Sequence, residues 1–226
     1  MKMNDNAQRI PFLSPSVAIV ANGAEMKAVA ETMGFCLCEQ GAVYCDRAPL
    51  TWRDLSSDRV TLPPTLQIVG DLDTLEGDYP AELLTDLHED QESNDLTKAF
   101  RWVEANVQPE LIEWFCVTGK REDHTLANLA LIASFGVRGK IYTQSGCFYV
   151  LPAGEWSYAC VEASPISFLS FVPQVITATG LRWRVDHLLL DTLWRATLNQ
   201  TAADCVNVRC EAPLLIFQPW RTPCEK

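Results

Sequence analysis

Apolar and polar residues follow two different patterns along the chain, one before and one after about residue 140. In the first part, short apolar runs with the character of strands alternate with stretches in which apolar residues recur at helical spacing. Such alternation predicts a mostly parallel sheet with helices on its faces. The predicted strands are residues 17–20, 41–45, 66–69 and 114–117, and the predicted helices are residues 25–33, residues 96–107 and a segment that ends near residues 135–136.

After residue 139 the apolar runs become short and β-like, and turn residues such as Gly146 and Pro173 separate them. No long amphipathic helix interrupts these runs, which favours an antiparallel β-sandwich. We therefore predict an α/β fold with an N-terminal Rossmann-like domain at residues 1–139 and a C-terminal β-sandwich domain at residues 140–226. The β-like runs are residues 141–143, 147–151, 166–171, 175–177 and 205–208.

Composition and charge limit the functional classes to which this protein can belong. The 226 residues, 48% of them hydrophobic, suffice for a sizeable core in one or two domains. The net charge of −11 falls entirely in the first predicted domain, which contains 22 acidic and 11 basic residues. A chain without a basic face is a poor partner for nucleic acid.

Location and redox state follow from two further features. No apolar run approaches the roughly 18–20 residues that span a bilayer, and the N-terminus lacks the apolar core of a signal peptide. We therefore expect a cytoplasmic protein without a membrane partner. The nine cysteines are odd in number and irregular in spacing, which favours buried, reduced thiols over a zinc site.

The segment Asp71–Asp95 is the strongest chemical signal, because it holds ten carboxylates and no Lys or Arg. It opens with Gly-Asp-Leu-Asp-Thr at residues 70–74, directly after a predicted strand, and closes on Asp90-Gln91 and Asp95, where a predicted helix begins. Open α/β sheets bind ligands at the carboxyl ends of their strands. Carboxylates placed there suit Mg²⁺, which usually arrives with substrate phosphates. The structural alternative is a solvated acidic loop.

A second motif follows the predicted strand at residues 114–117 and opens the next helix. A glycine at this turn, Gly119, lets the backbone approach a ligand, and a helix N-terminus favours anions. Lys120 and Arg121 add two cations that suit phosphate oxygens. The pattern is weak when it stands alone, since a surface turn before a helix looks similar and both the Walker and the Rossmann glycine spacings are absent.

In combination, these motifs resemble those of the thiamine pyrophosphokinase family. That family carries Gly-Asp-hydrophobic-Asp-Ser/Thr, Asp-Gln-x-x-x-Asp and Gly-Arg/Lys-x-Asp-His-x-x-x-Asn, which correspond here to residues 70–74, 90–95 and 119–128. Residues 177–183 are similar to its Thr-Thr-Gly-Leu-Lys-Trp and residues 196–199 to its Ser-Thr-Ser-Asn. An earlier Cys-Asp-Gly-Ala-x-Asn motif is only partly kept, with Arg47 and Leu50 in place of the glycine and the asparagine.

The resemblance implies an enzyme that transfers a pyrophosphoryl group from ATP to thiamine, giving thiamine diphosphate and AMP with the help of Mg²⁺. It also implies a homodimer with shared sites. The implied catalytic residues are Asp71, Asp73, Gln91 and Asp95, of which Asp71, Asp73 and Asp95 hold the metal. The implied ATP side comprises Asp46, Thr74, Asp90, Lys98, Gly119, Lys120, Arg121, Asp123, His124 and Asn128. The implied thiamine side comprises Trp183, Thr197 and Asn199.

Several of these residues also have purely structural interpretations. Asp95 suits the first turn of a helix, beside a capping Asn94, and Lys98 suits a local ion pair with it. His124 suits a helix start, and Trp183 suits ordinary packing. The altered residues after Asp46 and the Ala-Thr-Leu-Asn at residues 196–199 keep one functional alternative open: a Mg²⁺-dependent protein that uses or binds nucleotides with a different acceptor or without catalysis.

Overall fold

The computed structural model describes residues 8–9, 16–23, 41–46, 64–73 and 75–220. The helix expected at residues 25–33 and the site residue Thr74 lie outside this part of the chain. Two compact units divide the chain: an α/β unit, Ser14–Leu131 with Gly139–Gln144, and a β unit, Met1–Leu13 with Ile132–Arg138 and Ser145–Lys226. The domain boundary expected at residue 139 stays a prediction.

The described residues form strands, two α-helices and one short 3-10 helix, Ala81–Leu83. The strands are β1 (Gln8–Arg9), β2 (Ser16–Val20), β3 (Ala42–Cys45), β4 (Thr65–Gly70), β5 (Leu84–Asp86), β6 (Leu111–Phe115), β7 (Gly139–Tyr142), β8 (Gly146–Leu151), β9 (Gly154–Ala159), β10 (Pro165–Leu169), β11 (Gln174–Thr179), β12 (Val185–Leu190), β13 (Ala196–Gln200), β14 (Cys205–Cys210) and β15 (Leu214–Pro219). The helices are α1 (Asp95–Asn106) and α2 (Glu122–Ser134). Within the described residues, no helix has the length and apolar character required to cross a membrane.

In the α/β unit, six strands pair in parallel in the order β7-β6-β2-β3-β4-β5. The predicted parallel sheet is confirmed. From β2 the chain proceeds to β3, β4 and β5 on one side, and it returns to place β6 on the other side of β2. The strand order therefore reverses between β2 and β6, the position at which open α/β sheets bind ligands.

The central strands of this sheet are rich in apolar residues because they are buried on both faces. All five residues of β2 and of β6 are buried. On one face lies α1, whose Phe100 ring stacks 6.1 Å from the ring of Trp114 in β6. The buried side of α1 consists of Leu96, Lys98, Ala99, Phe100 and Val103. The helical spacing of its apolar members is that of an amphipathic helix.

The β unit contains a five-stranded sheet in the order β1-β9-β14-β11-β12 and four further strands, which are neighbours in the order β13-β10-β15-β8 within the second sheet of the chain. Apart from the parallel pair of β1 with β9, the pairings among these strands are antiparallel. Apolar side chains from both sheets share one core, in which Phe168 and Ile216 of one sheet join Ile176 and Val206 of the other. The predicted α/β fold with a C-terminal β-sandwich is confirmed.

Candidate active site

Three carboxylates meet at the carboxyl ends of β3 and β4. Asp46 follows β3, Asp71 follows β4, and Asp95 is the first residue of α1. One carboxylate oxygen from each residue lies within 4.8 Å of the others. Asp46 is buried, whereas Asp71 and Asp95 are partly exposed. We call these three residues the acidic cluster. The fold creates it from segments that are far apart in the sequence.

Strand register and one glycine bring the carboxylates of the acidic cluster together. Cys45 pairs with Val69, so β3 and β4 end at the same level of the sheet. The next residue, Asp46, donates its backbone N–H to the Val69 carbonyl oxygen at 3.1 Å. A Cβ on Gly70 would lie 3.0 Å from the Cβ of Asp46 and 3.4 Å from Oδ1 of Asp95. The absence of a side chain at residue 70 leaves room for this close approach.

Among the described residues, one buried cation, Lys98, lies beside the acidic cluster. The Lys98 Nζ lies 3.6 Å from Oδ1 of Asp95, and the Lys98 side chain is only 4% exposed. Burial is the main cause that raises the pKa of Asp95; Lys98 opposes this shift, and the carboxylates of Asp71 and Asp46 add to it. Three acidic groups beside one ammonium group leave negative charge that a cation would neutralise.

The donor set of the acidic cluster fits a divalent cation of the Mg²⁺ type. Its oxygens are hard ligands, come from three rigid element ends and lie close enough to bind one ion. Asp71 and Asp95 were expected to be metal ligands, whereas Asp46 was expected on the nucleotide side. Asp73 is exposed and lies outside this group of three. Its role as a ligand stays a prediction.

The loop between β5 and α1 is ordered by its own side chains. Asp90 accepts hydrogen bonds from the backbone N–H groups of Glu92 at 3.2 Å and Ser93 at 3.1 Å. The Ser93 hydroxyl also donates to Asp90, and this bond is the main cause that lowers the pKa of Asp90. Gln91 is exposed, and its Nε2 donates to the backbone oxygen of His88 at 2.6 Å. In this structure Asp90 shapes the loop that presents Gln91.

A second site lies where the strand order reverses, at the carboxyl ends of β2 and β6. A cavity of about 360 Å³ opens there, and we call it the switch-point pocket. Four residues that the sequence assigned to the nucleotide side line it: Lys120, Arg121, His124 and Asn128. Sequence reasoning missed Asn22, Gly23 and Thr125, which line it as well. The turn Ala21-Asn22-Gly23 after the first predicted strand was the available signal.

Backbone groups and a glycine shape the switch-point pocket. A Cβ on Gly23 would lie 2.0 Å from the Cys116 carbonyl oxygen, so only glycine fits there without a shift of the backbone. Asn128 donates its Nδ2 to the Val117 carbonyl oxygen at 2.7 Å, which ties α2 to the end of β6. Gly119 adopts a φ of 94°, in the left-handed region that favours glycine.

The two cations of the pocket already have polar partners. Lys120 donates its Nζ to Oδ1 of Asn22 at 3.0 Å. Arg121 forms a forked ion pair with Asp123, with its Nε and one terminal nitrogen 3.0 and 2.6 Å from the two carboxylate oxygens. This pair lowers the pKa of Asp123 to about 2 and raises that of Arg121. Both cations are exposed, so they are free to reorient towards an anion.

The residues expected on the thiamine side form a local group in the β unit. Trp183 is 52% exposed, and the Arg182 guanidinium lies 5.0 Å from its ring centroid. Asn199 is buried and bonds the Trp183 backbone twice, since it accepts from N–H at 3.2 Å and donates to the carbonyl oxygen at 2.9 Å. Thr197 donates its hydroxyl to the carbonyl oxygen of Trp194 at 2.8 Å. Asn199 therefore fixes the backbone that presents the Trp183 ring.

Comparison with known families connects these features. Residues 37–143 match a family model described as the catalytic domain of thiamin pyrophosphokinase, and residues 146–217 match one described as its substrate-binding domain. The chain belongs to the thiamin pyrophosphokinase family. It is therefore an enzyme, a transferase of the kinase type, and the family identity supports pyrophosphoryl transfer to thiamine. The family that the sequence motifs indicated is confirmed.

Solved structures share the fold at low sequence identity. Thiamine pyrophosphokinase from Bacillus subtilis superposes with a TM-score of 0.67 at 19% identity, over 92% of this chain and 100% of that one. The enzyme from Geobacillus thermodenitrificans gives 0.70 at 18% identity, over 92% and 99%. That from Candida albicans gives 0.72 at 14% identity, over 98% and 95%. No curated protein sequence matches the chain.

Proposed function

We propose that this enzyme transfers a pyrophosphoryl group from ATP to thiamine. In this reaction the hydroxyethyl oxygen of thiamine bonds to the β-phosphorus of ATP, and the bond between that phosphorus and the oxygen of the α-phosphate breaks. AMP leaves, and the hydroxyl proton passes to a base. The observation that carries the proposal is the presence of an acidic cluster and a cationic pocket on the same edge of one parallel sheet.

The acidic cluster is the proposed site of Mg²⁺. Asp46, Asp71 and Asp95 supply the oxygen ligands, and Asp73, in the same Gly-Asp-x-Asp turn, adds a further carboxylate. A bound Mg²⁺ supplies positive charge that neutralises the phosphates of the nucleotide. Lys98 holds Asp95 by its ion pair and carries a second positive charge next to the cluster.

The switch-point pocket is the proposed site of the ATP phosphates. The backbone at Gly119 and the start of α2 favour an anion, and Lys120 and Arg121 supply positive charge. Arg121 has the geometry to fork onto phosphate oxygens as it now does onto Asp123. Asp123, His124 and Asn128 complete the nucleotide side, together with Thr74 and Asp90 of the segment Asp71–Asp95. Gln91, in the same segment, orients phosphate or the attacking hydroxyl.

Thiamine is the proposed ligand of the group around Trp183. The exposed ring offers an aromatic face to the pyrimidine, and an aromatic neighbour also stabilises the cationic thiazolium. Thr197 and Asn199 supply polar groups to the vitamin or, through their backbone bonds, hold the aromatic residues in place.

A cytoplasmic location, which the sequence predicts, belongs to the same proposal.

Chromatography of reaction mixtures tests the chemistry directly. With ATP, Mg²⁺ and thiamine present, we expect AMP and thiamine diphosphate to form in equal amounts. ADP in place of AMP contradicts pyrophosphoryl transfer. AMP without thiamine diphosphate indicates that the enzyme uses another acceptor, which is the alternative that the altered residues after Asp46 raise. A control without thiamine measures hydrolysis of ATP.

We also propose a homodimer whose two equivalent sites are shared between subunits. Trp183→Ala and Asp71→Asn chains are each expected to be inactive. Mixed dimers of the two chains are expected to regain activity, because one of their two sites carries neither substitution. Mass measurement of the intact assembly confirms that mixed dimers are present. Mixed dimers that stay inactive, or a fully active monomer, contradict shared sites.

A further inference from the structure

The loop that carries Gln91 is anchored to the sheet beside the acidic cluster. Asp86 is the last residue of β5, and it pairs with Gly70 at the end of β4. The following residue, Leu87, donates its backbone N–H to the Gly70 carbonyl oxygen at 2.7 Å. Since Asp71 comes directly after Gly70, the position of Asp86 is fixed relative to the acidic cluster by strand pairing.

Asp86 in turn holds His88. Oδ1 of Asp86 lies 3.0 Å from the backbone nitrogen of His88 and 3.0 Å from its ring Nδ1. These bonds are the leading causes that lower the pKa of Asp86. A single carboxylate oxygen thereby fixes both the backbone and the ring of His88, and with them the direction of the His88 carbonyl group.

That carbonyl group is the acceptor for Gln91. Nε2 of Gln91 donates to it at 2.6 Å, which orients an exposed side chain that would otherwise sample several rotamers. We infer that Asp86 and His88 are positioning residues that hold the Gln91 amide ready for substrate. The inference rests on the proposed function, because it takes Gln91 to act on phosphate or on the attacking hydroxyl.

The hydrogen bonds of Asp86, His88 and Gln91 contribute more to the geometry of the site than to the stability of the fold, because all three side chains are exposed. Asp86, His88 and Gln91 are all exposed, and hydrogen bonds between exposed polar groups contribute little to folding. These hydrogen bonds nevertheless form an unbroken chain from the β4–β5 pairing through Asp86 and His88 to Gln91. Its effect is therefore expected in turnover, with little change in the thermal midpoint.

A double-mutant cycle tests whether Asp86 acts through Gln91. Asp86→Ala is expected to lower kcat about tenfold, the effect of one lost charge-assisted hydrogen bond. The KM values for ATP and thiamine are expected to stay within about twofold. In a Gln91→Ala background, Asp86→Ala is expected to cause no further loss. Asp86→Asn keeps an acceptor oxygen and is expected to retain most of the activity, and Glu89→Gln, in the same loop, is the control.

Hydrogen–deuterium exchange supplies a readout that does not depend on turnover. Asp86→Ala is expected to speed exchange of the His88 amide, whereas Glu89→Gln leaves it unchanged. Additive losses in the double variant, or unchanged exchange, overturn the inference while the wild-type enzyme still makes AMP. A fully active Gln91→Ala variant overturns both the role of Gln91 and its positioning. A wild-type enzyme that makes no AMP with thiamine overturns the proposed function itself.

Discussion

The acidic cluster and the switch-point pocket lie on the same edge of one parallel sheet but are built in opposite ways. In the acidic cluster, three carboxylates at the ends of β3 and β4 and at the start of α1 converge, and one of them, Asp95, pairs with the buried Lys98. In the pocket, Gly23 allows a close approach to the backbone after β6, and Lys120 and Arg121 supply positive charge. One region is suited to a cation and the other to an anion.

The two regions also differ in how firmly their charged groups are held. Lys98 and Asp46 are buried, and strand register fixes the position of Asp46. Lys120 and Arg121 are exposed and rest on polar neighbours, Asn22 and Asp123. We infer that the acidic cluster is preorganised for its ligand, whereas the cations of the pocket exchange their present partners for the ligand when it binds.

The largest expected effect is the loss of one carboxylate of the acidic cluster. Asp71→Asn should lower turnover by about a thousandfold, because the remaining ligands hold Mg²⁺ poorly and its charge is lost from the phosphates. Binding of Mn²⁺, followed by electron paramagnetic resonance, should weaken in parallel. Asp78→Asn removes an exposed carboxylate from the same loop and serves as the control. Near-normal AMP production by Asp71→Asn, with a native circular dichroism spectrum, contradicts the metal assignment.

A smaller effect is expected from the pocket. Arg121→Ala should raise the KM for ATP by about tenfold to a hundredfold, the effect of losing charge-assisted bonds to phosphate. The KM for thiamine should change little, because the residues proposed to bind thiamine belong to the β unit. Initial rates measured at varied ATP and at varied thiamine separate the two. Glu122→Gln, at the next residue, is the matched control. A weaker affinity for thiamine with unchanged ATP kinetics contradicts this division.

The sequence predicted those helices and strands whose formation depends on residues that are close together in the chain. Strand β2 is buried on both faces, so it appears as an apolar run and was predicted. Strand β6 is also buried, but it was expected at residues 114–117 and begins three residues earlier, because Glu113 interrupts its apolar run. Strand β12 was missed, because Asp186 and His187 are exposed there and a bulge interrupts its pairing with β11. The helix at residues 96–107 was predicted to within one residue at each end, since its cap and its apolar spacing are both local.

The same distinction between local and long-range causes applies to the residues of the candidate site. Asp71 and Asp95 were selected by the motifs that contain them. The membership of Asp46 in the acidic cluster depends on the pairing of Cys45 with Val69, which no local pattern reveals. Asn22 was missed for the same reason, because its contact with Lys120 joins residues 98 positions apart. Motifs identify the chemical groups, and the sheet topology decides which of them meet.

The smallest expected effect comes from the cap of α1, which carries a residue of the acidic cluster. Oδ1 of Asn94 accepts from the Thr97 backbone N–H at 2.9 Å and from its hydroxyl at 2.8 Å. Asn94→Ala should lower the free energy of unfolding by about 1 kcal/mol, the usual loss for an N-cap. Because Asp95 is the next residue, fraying of this turn should also weaken metal binding by a few-fold.

Urea unfolding with and without Mg²⁺ measures both parts of this prediction. The cap of α1 supports the acidic cluster and does not line the switch-point pocket. The KM for ATP of Asn94→Ala should therefore change less than its affinity for Mg²⁺. Asn94→Ser keeps a capping oxygen and should restore stability and metal affinity together. If Asn94→Ala loses stability while its Mg²⁺ affinity stays at the wild-type value, strand register alone positions the carboxylates. The helix start would then be independent of the acidic cluster.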